Sequence, residues 1–182
     1  MRYDEQVRKL LIIGIVSLLA GCSTPPATEH KEGTGHVVLK PLSTSPAPKT
    51  RQLVYVPAYS AIYWGFDEQL AELAVTLSIR NVARDPIVIH SAKYFDSDGK
   101  EVREFVATPS ELGPMATADF VIQRRDTSGG PGANFLVEWS STADVDEPVI
   151  EAVMVGQHGN AGVSFVGLGR ALPKASAKLP TR

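Results

Sequence analysis

The chain has 182 residues, with 18 basic and 20 acidic side chains for a formal charge of −2, and a hydrophobic share of 43%. This balance excludes the basic footprint of a nucleic-acid binder and the charge-rich, apolar-poor composition of a disordered chain. One cysteine, Cys22, excludes an intrachain disulfide and a thiolate metal cluster.

Arg2, Arg8 and Lys9 make a basic start, diluted by Asp4 and Glu5, and Leu10 to Ala20 is almost wholly apolar. That run is shorter than the roughly 20 residues a membrane-spanning helix needs. Its length and flanks fit a secretory h-region. Leu19-Ala20-Gly21-Cys22 follows at once. An apolar residue, two small residues and a cysteine resemble the lipobox of bacterial lipoproteins. The small residues let extended backbone enter a signal peptidase, and the Cys22 thiol accepts the diacylglycerol. The resemblance implies a signal peptide over 1–21, lipidation at Cys22 and anchoring in the bacterial cell envelope by acyl chains, since two or more chains anchor stably. Ser23 after the lipidated cysteine points to the periplasmic face of the outer membrane if the host is Gram-negative. Removal of 1–21 takes away three basic and two acidic groups and leaves −3, so the acyl chains and not a basic patch do the anchoring.

Residues 22–50 read as a disordered tether. Pro25, Pro26, Pro41, Pro46 and Pro48 alternate with Ser, Thr, Ala, Glu and Lys, and only Val37-Val38-Leu39 offers anything to bury. His30 and His36 lie here as solvated linker histidines. Residues 173–182 form a polar tail. Between them, 51–172 has the size of one domain, with no internal repeat.

That domain reads as strand after strand. Gln52 to Val56 begins it. Leu73, Val75, Leu77 and Ile79 alternate with Ala74, Thr76, Ser78 and Arg80, the period of a half-buried strand. Asp67 to Ala74 is the one place for a short helical turn. Ile87 to Phe95 is rich in β-branched and aromatic residues. Asp96-Ser97-Asp98-Gly99 makes a hairpin turn, and Lys100 to Val106 returns the chain. A Gly-Pro turn leads into Phe120 and Ile122. Phe135, Val137 and Trp139 share one face, and Val149 to Val155 and Val163 to Leu168 complete the set. About eight strands with turns between them predict an all-β, immunoglobulin-like antiparallel sandwich. Leu77, Ile79, Phe120, Val137 and Trp139 are its expected core.

"VYVPAYSAIYWG" (54–65), "LSIRN" (77–81), "YFDSDGKEVRE" (94–104), "RDTSGGPGANFLVEW" (125–139) and "PVIEAVMVG" (148–156) resemble the bacterial family known as domain of unknown function 3124. The resemblance implies a secreted or lipid-anchored β-rich protein. It brings no activity, cofactor or catalytic residue.

Two stretches stand out as candidate partner-contact surfaces. The first is Arg125, Asp126, Thr127 and Ser128, with Gly129, Gly130 and Gly132 around Pro131. It lacks the lysine and following helix of a phosphate loop and reads as a stiff corner first and a contact surface second. The second is the aromatic run Tyr59, Tyr63 and Trp64. Its rings either cap the core or stack on a glycan or partner. Asp96-Ser97-Asp98-Gly99 lacks the distal ligands of a calcium loop. No cofactor or metal motif is present. The leading reading is a non-enzymatic binding or assembly module, tethered in the envelope, with an envelope protein as partner. The alternatives are a hydrolase or metal-dependent enzyme using His90 or His158 with Asp126 or Ser128, and a glycan-binding module using Tyr59, Tyr63 and Trp64. The enzyme reading needs a histidine bonded to one of those groups in a cleft, and the glycan reading needs two coplanar exposed rings.

Overall fold

The computed structural model describes residues 35–45, 47–65 and 69–173. Cys22 and the expected signal segment, residues 1–21, lie outside them, as do His30 and residues 174–182. Twelve strands are present among the described residues: β1 Lys40–Pro41, β2 Thr50–Pro57, β3 Ala61–Trp64, β4 Gln69–Arg80, β5 Ile87–Phe95, β6 Glu101–Val106, β7 Ser110–Leu112, β8 Thr117–Ile122, β9 Asn134–Ser141, β10 Val149–His158, β11 Ala161–Leu168 and β12 Arg170–Ala171. Every pairing is antiparallel.

The strands form two sheets. In the first, β5, β9, β2 and β12 are neighbours in that order. The outer edge of β5 is shared by β7, which carries β1, and by β6. In the second, β11, β10 and β4 follow one another, and the far edge of β4 is shared by β3 and β8. The expected all-β antiparallel sandwich is the fold observed. Four strands beyond the expected set, β1, β3, β7 and β12, are two to four residues long. Such segments are too short to show a period of two.

Alternation produces the core. Leu73, Val75, Leu77 and Ile79 of β4 point inward and are fully buried, facing Phe135, Val137 and Trp139 of β9 and Tyr94 of β5. Leu77, Ile79, Phe120, Val137 and Trp139 all belong to this core. At about 25 cal/mol per Å2 of apolar surface removed from water, residues of this kind supply most of the driving force.

Two local readings change. Gln69 to Ala74 is strand and not a helical turn: Ala71 and Leu73 continue the inward alternation, and β3 pairs with Gln69 to Glu72. The helical expectation for residues 67–68 falls outside the described residues. The region assigned to a tether contributes structure before residue 51. Lys40 and Pro41 pair with Glu111 and Ser110, the amide of Asp119 donates to His36 O at 2.9 Å, and Leu42 N donates to Pro109 O at 2.9 Å. These segments satisfy edge groups of β7 and β8, and Leu39 packs on the core. β11 and β12 are almost continuous, yet they belong to different sheets. The chain crosses at Gly169, whose amide donates to Ile150 O at 2.8 Å, and a β-carbon there would overlap that same carbonyl.

Candidate functional site

Strand register brings four connections to one end of the sandwich. Pro57 at the end of β2 and Phe95 at the end of β5 both pair with Asn134, the first residue of β9. On the other sheet, Gly156 of β10 pairs with Leu73 near the start of β4. Residues 58–60, 96–100, 123–133 and 159–160 therefore share this end.

The 123–133 connection is built from tight turns. Asp126 N donates to Gln123 O at 2.9 Å and Gly130 N to Thr127 O at 3.0 Å. A single 3-10 turn, Gly130–Gly132, follows. Two serines from other connections lock it. The buried Ser60 accepts from Gly130 N through Oγ at 2.8 Å and donates its amide to Gly130 O at 3.2 Å. Ser97 donates to Gly129 O through N and Oγ, both at 3.0 Å, and its Oγ accepts from Gly132 N at 2.9 Å.

The three glycines act for different reasons. Only Gly130 has positive φ, +71°. Gly129 is in the ordinary right-handed region. A β-carbon at Gly129 would overlap the Tyr94 hydroxyl and come within 2.7 Å of Ala133 Cβ, while one at Gly132 would meet Ser97 Oγ at 3.2 Å. Of the three, positive φ is therefore required at Gly130 alone; Gly129 is demanded by close approach, and Gly132 by a tighter than usual contact.

Asp126 is the electrostatic hub of the loop. Its Oδ2 accepts from Arg103 Nη2 at 3.0 Å, and its Oδ1 accepts from Ser128 N and Oγ. Arg103 lies 5.6 Å from the centre of the Phe105 ring. Arg124 Nη2 donates to Gln157 O at 3.2 Å. Arg125, Thr127 and Ser128 are left exposed on this fixed frame.

Beneath the loop, Tyr94 is fully buried and stacks on Phe135 with ring centres 4.8 Å apart. Its hydroxyl has no hydrogen-bond partner among the described residues. Burial pushes its phenol pKa up, against a smaller opposing pull from the neighbouring Ser60 hydroxyl, whose own bonds run to Gly130.

The aromatic run reaches the same end but forms no platform. Tyr59 is half-buried with its ring 5.7 Å from Phe165, and Trp64 is half-buried with its ring 5.4 Å from His158. Tyr63 alone of the three is exposed, at 66%. Consecutive strand residues point to opposite faces, so Tyr63 and Trp64 do not share a plane.

The histidines stand apart from the loop acids. His158 stacks on Trp64. His90 lies on β5 at an irregularity in its register with β9, and its Nε2 is 2.7 Å from Ser140 Oγ. Burial and the Arg51 guanidinium hold its pKa below the usual value, opposed by Glu138. Ser140 is only 2% exposed, which denies its hydroxyl the access a nucleophile needs. Neither histidine hydrogen-bonds to Asp126 or Ser128 among the described residues, so the pairings of the enzyme reading do not form. Asp96 Oδ1 is occupied by Asp98 N and Lys100 N, at 3.0 and 2.8 Å, inside its hairpin turn. No group of three or more His, Cys, Asp or Glu is placed to hold a metal among the described residues.

A concavity of about 550 Å3 lies along β2, lined by Lys49, Arg51, Gln52, Leu53, Glu138 and Leu172 among others. Its polar groups pair with one another or with neighbours: Arg51 Nε donates to Glu138 at 2.7 Å, and Gln52 joins Glu147 and the Trp139 indole. Ser60, Ser97 and Tyr94 carry the architecture of the loop end, and although Ser97 lies in a marked turn, nothing in the sequence assigns any of them this role. Each is an ordinary residue whose partner is remote in the chain.

Among known proteins, no curated protein matches the chain. The crystal structure of Thermotoga maritima 1070 is similar at 16% identity and a TM-score of 0.40, covering 65% of this chain and 92% of that one. A family model described as a protein of unknown function, DUF3124, matches residues 51–172. That span takes in the sandwich from β2 to β12, and the chain belongs to this family.

Proposed function

We propose that the protein is a lipid-anchored component of the bacterial envelope whose sandwich is a non-enzymatic binding or assembly module. The observation that carries the binding role is the locked 123–133 connection. Ser60 and Ser97 fix its backbone, and Arg103 and Ser128 engage Asp126. Arg125, Thr127 and Ser128 are thus offered to an envelope protein in one shape, which lowers the ordering cost of association. The anchoring role rests on the sequence around Cys22, where the apolar h-region and the Leu19-Ala20-Gly21-Cys22 run stand in the order a lipoprotein signal requires.

Two measurements test this reading. Mass spectrometry of the mature protein is expected to find a diacylated Cys22 at the N-terminus, and Cys22→Ala is expected to leave the membrane fraction. A variant that still partitions with membranes overturns the anchor. Affinity capture from solubilised membranes is expected to recover a partner that Arg125→Glu loses without any change in Tm. Hydrolytic turnover that disappears in Ser128→Ala overturns the non-enzymatic reading.

A further inference from the structure

The open edges of the two sheets differ in how they are protected. An exposed edge strand presents unpaired amides and carbonyls, and proteins blunt such edges by keeping them short, charging them or covering them. On the first sheet, β7 is covered by β1, β12 is two residues long, and β6 carries Glu101, Arg103 and Glu104. On the second sheet, β3 is four residues long, and the Asp119 amide of β8 is taken by His36 O.

β11 has none of these devices. It is eight residues long, "AGVSFVGL", with no charge and no proline. It pairs with β10 and, among the described residues, with no other strand. Its inward side chains Val163 and Phe165 pack against the core, which holds the strand in place. Its outward side chains include Ser164, Val166 at 49% exposure and Leu168 at 69% exposure, which stand opposite Val155, Val153 and Glu151 of β10. An edge about 27 Å long, itself free of charge, is left open among the described residues.

We infer that β11 pairs antiparallel with β11 of a second copy of this chain. The two five-stranded sheets then join across a two-fold axis into one continuous sheet. Strand chemistry selects the occupant. A two-fold pairing sets the strand against its own image, so any charge on it would face a like charge and repel. β11 is free of that penalty, whereas β6 is not. A foreign strand held by charge or by a deep side-chain pocket would find neither on β11. One strand edge with its flanking side chains falls short of the about 800 Å2 per partner of a standard stable interface. The dimer is therefore reversible and concentration-dependent. This inference does not depend on the anchor or on the 123–133 surface.

Sedimentation equilibrium of the full chain in density-matched detergent tests it. Outward residues must face outward residues across the axis, so a pairing that uses the whole of β11 is centred at Ser164 or Phe165. A monomer–dimer equilibrium is expected, and Ser164→Lys is expected to raise its dissociation constant by about tenfold or more, since it places lysines close together across the axis. Tyr63→Lys, on the opposite edge of the same sheet, is expected to leave it unchanged. Because Cys22 is the only native cysteine, Ser164→Cys under mild oxidation reports proximity directly. It is expected to give a covalent dimer that the wild type does not, and it serves even where Ser164→Lys fails to fold. A chain that stays monomeric at every concentration, including one that instead captures a foreign extended peptide, overturns the inference. So does a dimer that is indifferent to Ser164→Lys and does not cross-link through Ser164→Cys.

Discussion

The hydroxyl of Ser60 accepts a 2.8 Å hydrogen bond from the amide of Gly130, seventy positions away in the chain. This contact joins the aromatic segment to the glycine-rich connection and fixes the shape of both. Ser60→Ala removes the acceptor from a buried amide and is expected to cost about 1–2 kcal/mol. Gly130→Val forces a β-branched residue to φ +71° and crowds Ser97 Oγ at 2.9 Å. It is expected to cost about 2 kcal/mol or more. Chemical denaturation of both variants checks this, and wild-type stability in Gly130→Val refutes the structural role of the corner.

Tyr94→Phe is expected to be neutral or to stabilise the domain by up to about 1 kcal/mol, because the hydroxyl it removes is buried and unpartnered. The ring contact with Phe135 is kept. A loss above about 1 kcal/mol would reveal a partner for that oxygen. The comparison uses urea midpoints at neutral pH.

Trp139→Ala is expected to cost about 3–5 kcal/mol. The residue is fully buried between the sheets, and its indole N–H donates to Gln52 Oε1 at 3.1 Å. The truncation removes both the largest buried side chain of β9 and a polar link to β2. A midpoint within about 1 kcal/mol of wild type contradicts this placement of the core.

Stability near neutral pH carries a contribution from His90. Burial and Arg51 hold its pKa below the ordinary histidine value of 6.5, so the folded ring binds its proton less readily than the unfolded one. That contribution is fully present above pH 6.5 and is lost as pH falls through the lower folded value. Glu138 opposes the shift, and Ser140 bonds the ring. The drop in unfolding free energy from neutral to mildly acidic pH is therefore expected to be smaller in His90→Gln than in the wild type. Equal drops would show that His90 does not carry the dependence.

The sequence by itself determined the fold class and most of the core. The period of two along Leu73, Val75, Leu77 and Ile79, and along Phe135, Val137 and Trp139, is a local property, and it places those side chains on the buried face whatever the neighbouring strand is. The Asp96–Gly99 hairpin is equally local, with Gly99 at φ +76°. What only the tertiary structure decided depends on partners remote in sequence. Asn81 is a buried residue inside a short motif, and it becomes a hub only because the carbonyls of Asp85, Leu112 and Gly113 converge on its amide. His90 meets Ser140 and not the loop acids because the register of β5 with β9 sets it there. Gly129 has unremarkable backbone angles, so its requirement arises wholly from the Tyr94 hydroxyl packed against it. The expected strand at Val163 to Leu168 is followed at once by β12 in the other sheet, and the crossing needs Gly169 because the carbonyl of Ile150 leaves no room there for a side chain. Periodicity fixes which face of a strand is buried; it carries no information on which edge meets which, and the loop end and the open edge of β11 are both consequences of that pairing.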